Sequence, residues 1–553
     1  MSFNPGPKAA AGLSLAAGAA AALACPPFGV LPGLTGYGLM MLLADAAPAA
    51  RPLRAAFWRG WLAAFAYFLI GCWWVAEAFM VDARGQGWMA PFAVMLLPAG
   101  IGLFWGAGLM LYRALGARGP WRFLSFAGCM SIAEWLRGTV LTGFPWNLAG
   151  ETWRAGSAPS QAASVIGAYG LTFVTIAVSA GLASWIGPGT RRSRLAPVAV
   201  SVLTLAALYG FGAWRLSHAL PPIPDAPVVR VVQADVKQEN KYDEAIIQSI
   251  LDRYLELTAR PAARAPDIVV WSEGAIPVEA GTLLRPGSWT AEAIRAAMHP
   301  GQTLLMGTYR ADQRGGREIY FNSLVSVRAK QDGLEITGVY DKYRLVPFGE
   351  YLPAESILQP LGFKDLTHIG DSFTAGPPPA PITPLGVPAV QPLICYEALY
   401  PGFTREGARR SGTRARWIVN VSNDAWFGPT SGPLQHLNLA SYRAIEEGLP
   451  MVRATPTGVS AVIDAYGRIV PGARLGLGAF GVIDSPLPAA LSNTTYSRLG
   501  EAAFGLMLIF SLLSRAPSAA PRLCKFVWTK ASIWRKDWAS PRGRKHETDD
   551  GHD

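Results

Sequence analysis

The chain has 553 residues, 51% of them hydrophobic and only 16% charged, and its mean hydropathy is positive. That balance excludes an ordinary soluble protein and a disordered chain. A formal charge of +11 would suit nucleic acid, but the basic residues collect between apolar segments and in the C-terminal tail, as membrane topology requires.

The first 220 residues read as seven apolar segments meant to cross a hydrocarbon core of ~30 Å as helices. They run about Ala9–Cys25, Val30–Ala46, Ala56–Ala76, Trp88–Tyr112, Phe123–Leu136, Ala162–Ile186 and Leu195–Trp214. The second is interrupted by Gly and Pro, and the fifth is short. Gly102, Gly106 and Gly108 would let helices approach closely. Lys8, an apolar run and Ala22-Leu23-Ala24-Cys25 have the look of a cleavable leader, but Pro26-Pro27 and a second apolar run favour a retained helical hairpin. Basic clusters fall in every second connection: Lys8, then Arg51 and Arg54, then Arg113, Arg118 and Arg122, then Arg191, Arg192 and Arg194. The positive-inside rule then puts the N-terminus in the cytoplasm and the end of the seventh helix outside. A transporter is the alternative for such a bundle, but few ionisable groups beyond Glu77 and Glu134 interrupt it and no internal repeat is visible.

Pro221, Pro222 and Pro224 mark a linker, and a polar α/β pattern follows to about residue 490. Strands are expected near Val228–Val236, Ile268–Trp271, Thr303–Gly307, Leu324–Val327, Ile336–Tyr340, Val387–Ile394, Trp417–Val421, Val452–Ala454 and Ala461–Asp464. Helices are expected near Tyr242–Ala259, Ala291–His299, Tyr400–Ser411 and Gln435–Glu447. Strands alternating with helices predict an α/β sandwich. Residues 491–514 hold a last apolar run, Ala502–Leu513, read as an eighth crossing. Residues 515–553 form a basic tail that belongs in the cytoplasm, which leaves the α/β domain outside.

Three polar residues each close a predicted strand. Glu273 follows Ile268–Trp271, in DIVVWSEGAIP; Lys342 follows Ile336–Tyr340, in VYDKYRLVPFGEYLP; Cys395 follows Val387–Ile394, in VQPLICYEALY. A carboxylate, an ammonium and a thiol at strand ends supply a base, an oxyanion stabiliser and a nucleophile for acyl transfer. A helix beginning at Tyr396 is expected to favour the Cys395 thiolate through its N-terminal dipole. Of five cysteines, the other four (25, 72, 129, 524) lie in or beside apolar segments. No metal-type spacing or phosphate-binding loop is present, so neither metal nor cofactor is expected. Glu350, in the loop after Lys342, is placed to hold that lysine, Glu397 to support the cysteine, and Tyr396 to line the site or pack. Asn423, Asp424 and Trp426 follow Trp417–Val421 and either shape the pocket or serve a turn.

These motifs, in this order and behind a membrane-embedded flank, resemble the nitrilase superfamily and, within it, the integral-membrane apolipoprotein N-acyltransferase family. The resemblance rests on WSEGAIP, YDKYRLVPFGEYLP, LICYEALYP and NVSNDAWFG. It implies an α-β-β-α sandwich outside the membrane with Glu273, Lys342 and Cys395 as catalytic triad. It also implies a phospholipid acyl donor, typically phosphatidylethanolamine, and as acceptor the free α-amino group of a diacylglyceryl-cysteine apolipoprotein. A bacterial inner-membrane location and a monomer without nucleic acid accompany that reading. In one stretch the chain departs from the family's QxNxxQxxKW. It has QADVKQENKYD, with Asp235 at the Asn place and Tyr242 at the Trp place. The apolar loop residues Leu345, Val346, Phe348, Leu352, Leu358, Leu361 and Phe363 either enter the bilayer or pack beneath the loop. A membrane-anchored amidase would use the same triad on small amides.

Overall fold

Long runs of Ala, Leu and Phe without charge favour helices whose backbone is satisfied internally. In a computed structural model, which describes residues 3–186, 190–241, 244–353 and 372–513, they form a bundle. Its helices are α1 (Pro7–Ala24), α2 (Thr35–Asp45), α3 (Pro52–Cys72), the short α4 (Val75–Met80), α5 (Ala90–Leu115), α6 (Arg122–Thr139), α7 (Ala163–Ala183) and α8 (Arg191–Ser217). Among the described residues, α1, α3, α7, α8 and the stretch containing α5 are long and apolar enough to cross a membrane, five in all. The expected second span is broken: Leu31–Leu34 makes a tight 3-10 turn, and α2 keeps only 11 residues. Helix α6 is buried along most of its length and carries the ion pair Arg137–Glu134, which lowers its hydropathy. Apolar side chains of α5 (Phe92, Leu96, Leu103) and α8 (Val202, Leu203) point outward. In a membrane protein such faces meet lipid.

The α/β part contains β1 (Val228–Ala234), α9 (Glu244–Ala259), β2 (Ile268–Trp271), α10 (Ala280–Leu283), α11 (Trp289–Ala297), β3 (Thr303–Arg314), β4 (Arg317–Ala329) and β5 (Leu334–Asp341). It continues with β6 (Val390–Ile394), α12 (Phe403–Ser411), β7 (Trp417–Val421), α13 (Gly432–Glu447), β8 (Met451–Ala454), β9 (Ser460–Ile463), β10 (Ile469–Leu475) and β11 (Phe480–Pro486). Two short helices end the described chain, α14 (Thr495–Leu499) and α15 (Ala502–Leu513). One sheet has the order β11-β1-β2-β3-β4-β5, the other β10-β9-β8-β7-β6. The alternation of side chains assigns the layers. Val229 and Val231 of β1 meet Trp417, Val419 and Val421 of β7 between the sheets. Val232 and Ala234 face α9 and α11 instead. Ile418, Met451 and Ile463, on the far face of the second sheet, join one apolar cluster with the bundle. The result is the expected α-β-β-α sandwich, one outer layer of which rests on the apolar helices.

Several elements differ from expectation. Strands β3 and β4 extend into a long hairpin whose turn is Gly315-Gly316, both with positive φ, as a two-residue turn between twisted strands demands. The predicted strands stopped at their apolar cores and missed that dipeptide. Strands β10 and β11 were not expected at all: both are half-exposed, and each contains Pro and Gly. The helix expected from Tyr400 begins at Phe403, and Cys395–Leu399 forms a single 3-10 turn. Tyr242, Leu358, Leu361, Phe363 and the tail from 515 lie outside the described residues.

Helix α13 is the joint between the parts. It is buried on every side, which a solvent-facing sandwich helix would not be. Gln435 Oε1 accepts from the indole N–H groups of Trp74 (3.0 Å) and Trp146 (2.8 Å). Arg443 pairs with Glu151 at 3.2 Å and with Glu446 at 2.9 Å. The basic clusters open α3, α6 and α8, whose opposite ends meet the α/β domain through Trp74, Thr142 and Leu220.

Candidate active site

Parallel strands deliver the residues that follow them to one edge of a sheet, where ligands bind in open α/β folds. Glu273 follows β2, Lys342 follows β5 and Cys395 follows β6, and the structure brings all three together. Gly307 on β3 permits the approach: a Cβ there would lie 2.6 Å from the Glu273 Cα. The Lys342 ammonium stands 3.4 Å from Glu273 Oε1 and 2.9 Å from Glu350 Oε1. Burial alone would push that ammonium towards neutrality, but Glu350 and Glu273 outweigh it and hold the lysine above its ordinary range.

Glu273 is fixed by three further donors and neighbours. Asn322 Nδ2 donates to its Oε1 at 2.7 Å, and the Asn423 backbone N–H to its Oε2 at 2.6 Å. The same Asn322 amide donates to Glu350 Oε1 at 2.7 Å, so one side chain spans both carboxylates. Glu350 Oε2 accepts from the Val346 N–H at 2.8 Å. Lys241, buried behind the site, reaches the Glu273 carbonyl at 3.5 Å. Burial lowers the pKa of Lys241 to about 8.

Cys395 sits at φ +49°, a left-handed conformation that costs a non-glycine residue energy and marks functional turns. Its thiol lies within the influence of Glu273, Lys342 and Asp424, and the neighbouring Ser422 hydroxyl donates to Asp424 Oδ1 at 2.8 Å. Burial, with Glu273 beside it, pushes the thiol well above the usual cysteine range, although Lys342 pulls the other way. The expectation of a thiolate stabilised by a following helix is therefore corrected. A single 3-10 turn offers little dipole, and α12 starts eight residues later.

Glu397 supports the turn. It accepts from Ile394 N (2.8 Å), Tyr343 N (2.8 Å), Arg344 N (3.2 Å) and the Tyr340 hydroxyl (3.0 Å). It thereby ties the residues around Lys342 to those around Cys395. Burial still raises its pKa, to about 7. Tyr396 donates to the Gly143 carbonyl at 2.5 Å and Tyr400 to that of Thr142 at 2.9 Å. Both tyrosines thus bind the nucleophile turn to the α6–α7 loop of the bundle. Asp424 accepts from Arg453 at 2.6 Å and contacts His436 Nδ1 at 3.0 Å, while His436 Nε2 lies 3.3 Å from the Cys395 carbonyl. Burial would raise Asp424, but Arg453 and His436 hold it far below the ordinary carboxylate range. Trp426 is half-buried in the turn Asp424–Phe427. Its neighbour Phe427 packs on Trp74 at 4.6 Å between ring centres.

The departure at Asp235 has a backbone reading. Its φ is +50°, and its N–H donates to the Pro456 carbonyl at 2.9 Å. Asp tolerates the left-handed region about as Asn does, so the exchange preserves the turn.

Comparison with known proteins agrees with this architecture. Residues 17–181 match the family described as apolipoprotein N-acyltransferase N-terminal domain, and residues 229–491 match carbon-nitrogen hydrolase. A protein of Caulobacter vibrioides named apolipoprotein N-acyltransferase is 53% identical, over 95% of this chain and 97% of its own. One of the same name from Rhodopseudomonas palustris is 38% identical, over 91% and 95%. The chain belongs to the apolipoprotein N-acyltransferase family. Among solved structures, an amidase of the nitrilase superfamily from Nesterenkonia AN1 covers 51% of this chain and 98% of its own at 18% identity, with a TM-score of 0.34.

For this member of the acyltransferase family, the sequence reading missed Asn322, Gln238, Lys241 and His436. Asn322 interrupts the apolar alternation of β4, a signal that a buried polar partner is waiting. Gln238 and Lys241 stand in QADVKQENKYD, the stretch in which Asp235 and Tyr242 depart from the family pattern. His436 lies within a helix with no local mark of its role.

Proposed function

We propose that this acyltransferase moves an acyl chain from a phospholipid, phosphatidylethanolamine being the expected donor, to the free α-amino group of a diacylglyceryl-cysteine apolipoprotein. The observation that carries this reading is the convergence of the buried Glu273 and Lys342 on Cys395 in a domain seated on apolar helices. Cys395 Sγ attacks the donor ester carbonyl while Glu273 takes the thiol proton and returns it to the leaving alcohol. Burial and Glu273 raise the thiol above the usual cysteine range, so removal of its proton accompanies attack. Lys342 has three N–H donors. Glu273 and Glu350 engage two, and the third is available for the tetrahedral oxyanion. In the second half, the acceptor amine attacks the thioester, Glu273 receives its proton, and Cys395 leaves.

Glu350 orients Lys342 through the ion pair, and Glu397 and Tyr396 hold the turn; these are positioning residues. In this reading residues 1–220 form the bundle, 221–490 the catalytic domain, 491–514 a last crossing and 515–553 a cytoplasmic tail. Both termini are cytoplasmic, the domain lies on the outer face of the bacterial inner membrane, and the protein acts as a monomer. The placement of the domain opposite the basic ends of α3, α6 and α8 supports that topology.

Purified protein, phospholipid and a diacylated lipopeptide test the reading by mass spectrometry. Donor alone should add one acyl mass to the Cys395 peptide as a hydroxylamine-labile thioester, and lipopeptide should discharge it. Cys395→Ala should lose both adduct and product. Transfer by Cys395→Ala, or turnover of small soluble amides without lipid, would sink the proposal.

A further inference from the structure

Two buried amides beside Glu273 are left half-satisfied. Gln238, in the turn after β1, and Asn423, just after β7, are 4% and 6% exposed. Asn423 Nδ2 donates to Gln238 Oε1 at 2.8 Å. Asn423 Oδ1 and Gln238 Nε2 then have no partner. Turning both amides over exchanges the two residues' roles but still leaves one free acceptor and one free donor side by side. Buried polar atoms without partners are rare enough in folded proteins to need a reason. A structural pair would be cheaper as two apolar side chains of the same shape. The position supplies the reason: the backbone N–H of the same Asn423 is fixed on Glu273 Oε2. Glu273 and Lys342 are themselves 7% and 1% exposed. Both amides and the two charged groups are therefore withdrawn from solvent, while Cys395 beside them is partly exposed.

We propose that Gln238 and Asn423 form the subsite that receives the acceptor's free N-terminal amine and the first amide bond beyond it. An amine N–H donates to Asn423 Oδ1 while its lone pair faces the thioester carbon, and the acceptor's first amide carbonyl accepts from Gln238 Nε2. The step balances within the site. The amine nitrogen bonds to the acyl carbon, the carbon–sulfur bond breaks, and the displaced proton passes through Glu273 to the Cys395 sulfur. This inference rests on the acyl-enzyme reading above and adds how the second substrate is chosen. A phospholipid donor offers an ester in place of an amine beside an amide, so the pair contributes to the second half-reaction alone.

The test uses the full-length double variant Gln238→Met/Asn423→Leu, with Gln238→Met alone as the milder change. Both keep the Asn423-position backbone N–H on Glu273. Acyl-enzyme is first formed from phosphatidylethanolamine, then discharged with diacylated lipopeptide or with hydroxylamine, which has no peptide bond. The double variant should form acyl-enzyme at the wild-type rate. Its half-saturating lipopeptide concentration should rise about tenfold or more, since two hydrogen bonds are lost. Discharge by hydroxylamine should stay unchanged. Gln238→Met should fall between. A normal lipopeptide dependence in the double variant overturns the subsite. Equal loss with hydroxylamine, or loss of acylation in the variants only, overturns it too, by showing that the pair merely holds Glu273. Absence of acyl-enzyme in the wild type as well would instead remove the underlying reading, and the subsite with it.

Discussion

At Lys342 the geometry turns a common surface residue into a fixed charge. Two carboxylates within 3.4 Å keep it protonated, and the ion pair with Glu350 is buried. Arg cannot fit a compact ammonium site of this kind. Lys342→Arg should insert normally yet lose about 10²-fold or more in acylation rate, the usual cost of losing one oxyanion donor. Near-normal rapid-quench kinetics would take Lys342 out of the mechanism. Glu350→Gln should slow acylation as well and lower stability by about 3 kcal/mol, because Lys342 is left partly uncompensated in a buried place. Cys395 gives the complementary expectation. With its thiol pushed up by burial, iodoacetamide should alkylate it more slowly at neutral pH than it alkylates free cysteine, and faster as pH rises. Faster reaction than free cysteine at neutral pH would mean a preformed thiolate. Of these residues Glu273, Lys342 and Cys395 were legible as a converging set from their places at strand ends. Asn322, which bridges Glu273 and Glu350, was not, because only the pairing of β4 between β3 and β5 sets it there.

Helix α13 shows the same division at the scale of an element. Its existence followed from the apolar period of Gln435–Glu447. Its burial on all sides did not, since Gln435, Arg443, Glu446 and Glu447 read as a polar face. The partners are the bundle's indoles and Glu151, remote in sequence. Glu447, buried at the end of this helix, makes the arrangement sensitive to pH. Burial and then Glu446 raise its pKa to about 8 from 4.5. The folded state therefore holds a proton that the unfolded state releases near pH 4.5. Stability from this group is full at low pH and is lost as pH rises from about 4.5 to 8, by up to about 1.4 kcal/mol per unit. Thermal melts of the solubilised protein should show Glu447→Gln flattening that decline and melting above wild type at pH 8. An unchanged slope would show that other groups carry the pH dependence.

On the scale of the whole molecule, the bundle and sandwich share one apolar cluster, from Tyr67 and Trp146 through α13 to Met451 and Ile463. Residues 228–491 expressed alone should therefore aggregate or melt far below the full chain, although the sandwich is large enough to hold two sheets. A soluble, cooperatively melting fragment would contradict this. Topology is checked by cysteine labelling at Gln331→Cys, between β4 and β5, which should react from the outer face of intact cells. Labelling from the cytoplasmic face alone would reverse the orientation.

The sequence by itself determined the apolar helices, the sandwich and the order of Glu, Lys and Cys, because these rest on local periodicity and on residues that end strands. It did not determine the number of crossings, since apolar length is local but a Gly/Pro break or a buried ion pair changes what a segment does. Only the tertiary structure decided that burial and Glu273 raise the thiol above the usual cysteine range and that Asn322, Gln238 and His436 gather around the site. Burial and polar convergence depend on the register of distant strands and on what covers them, and neither is written in any one stretch of chain.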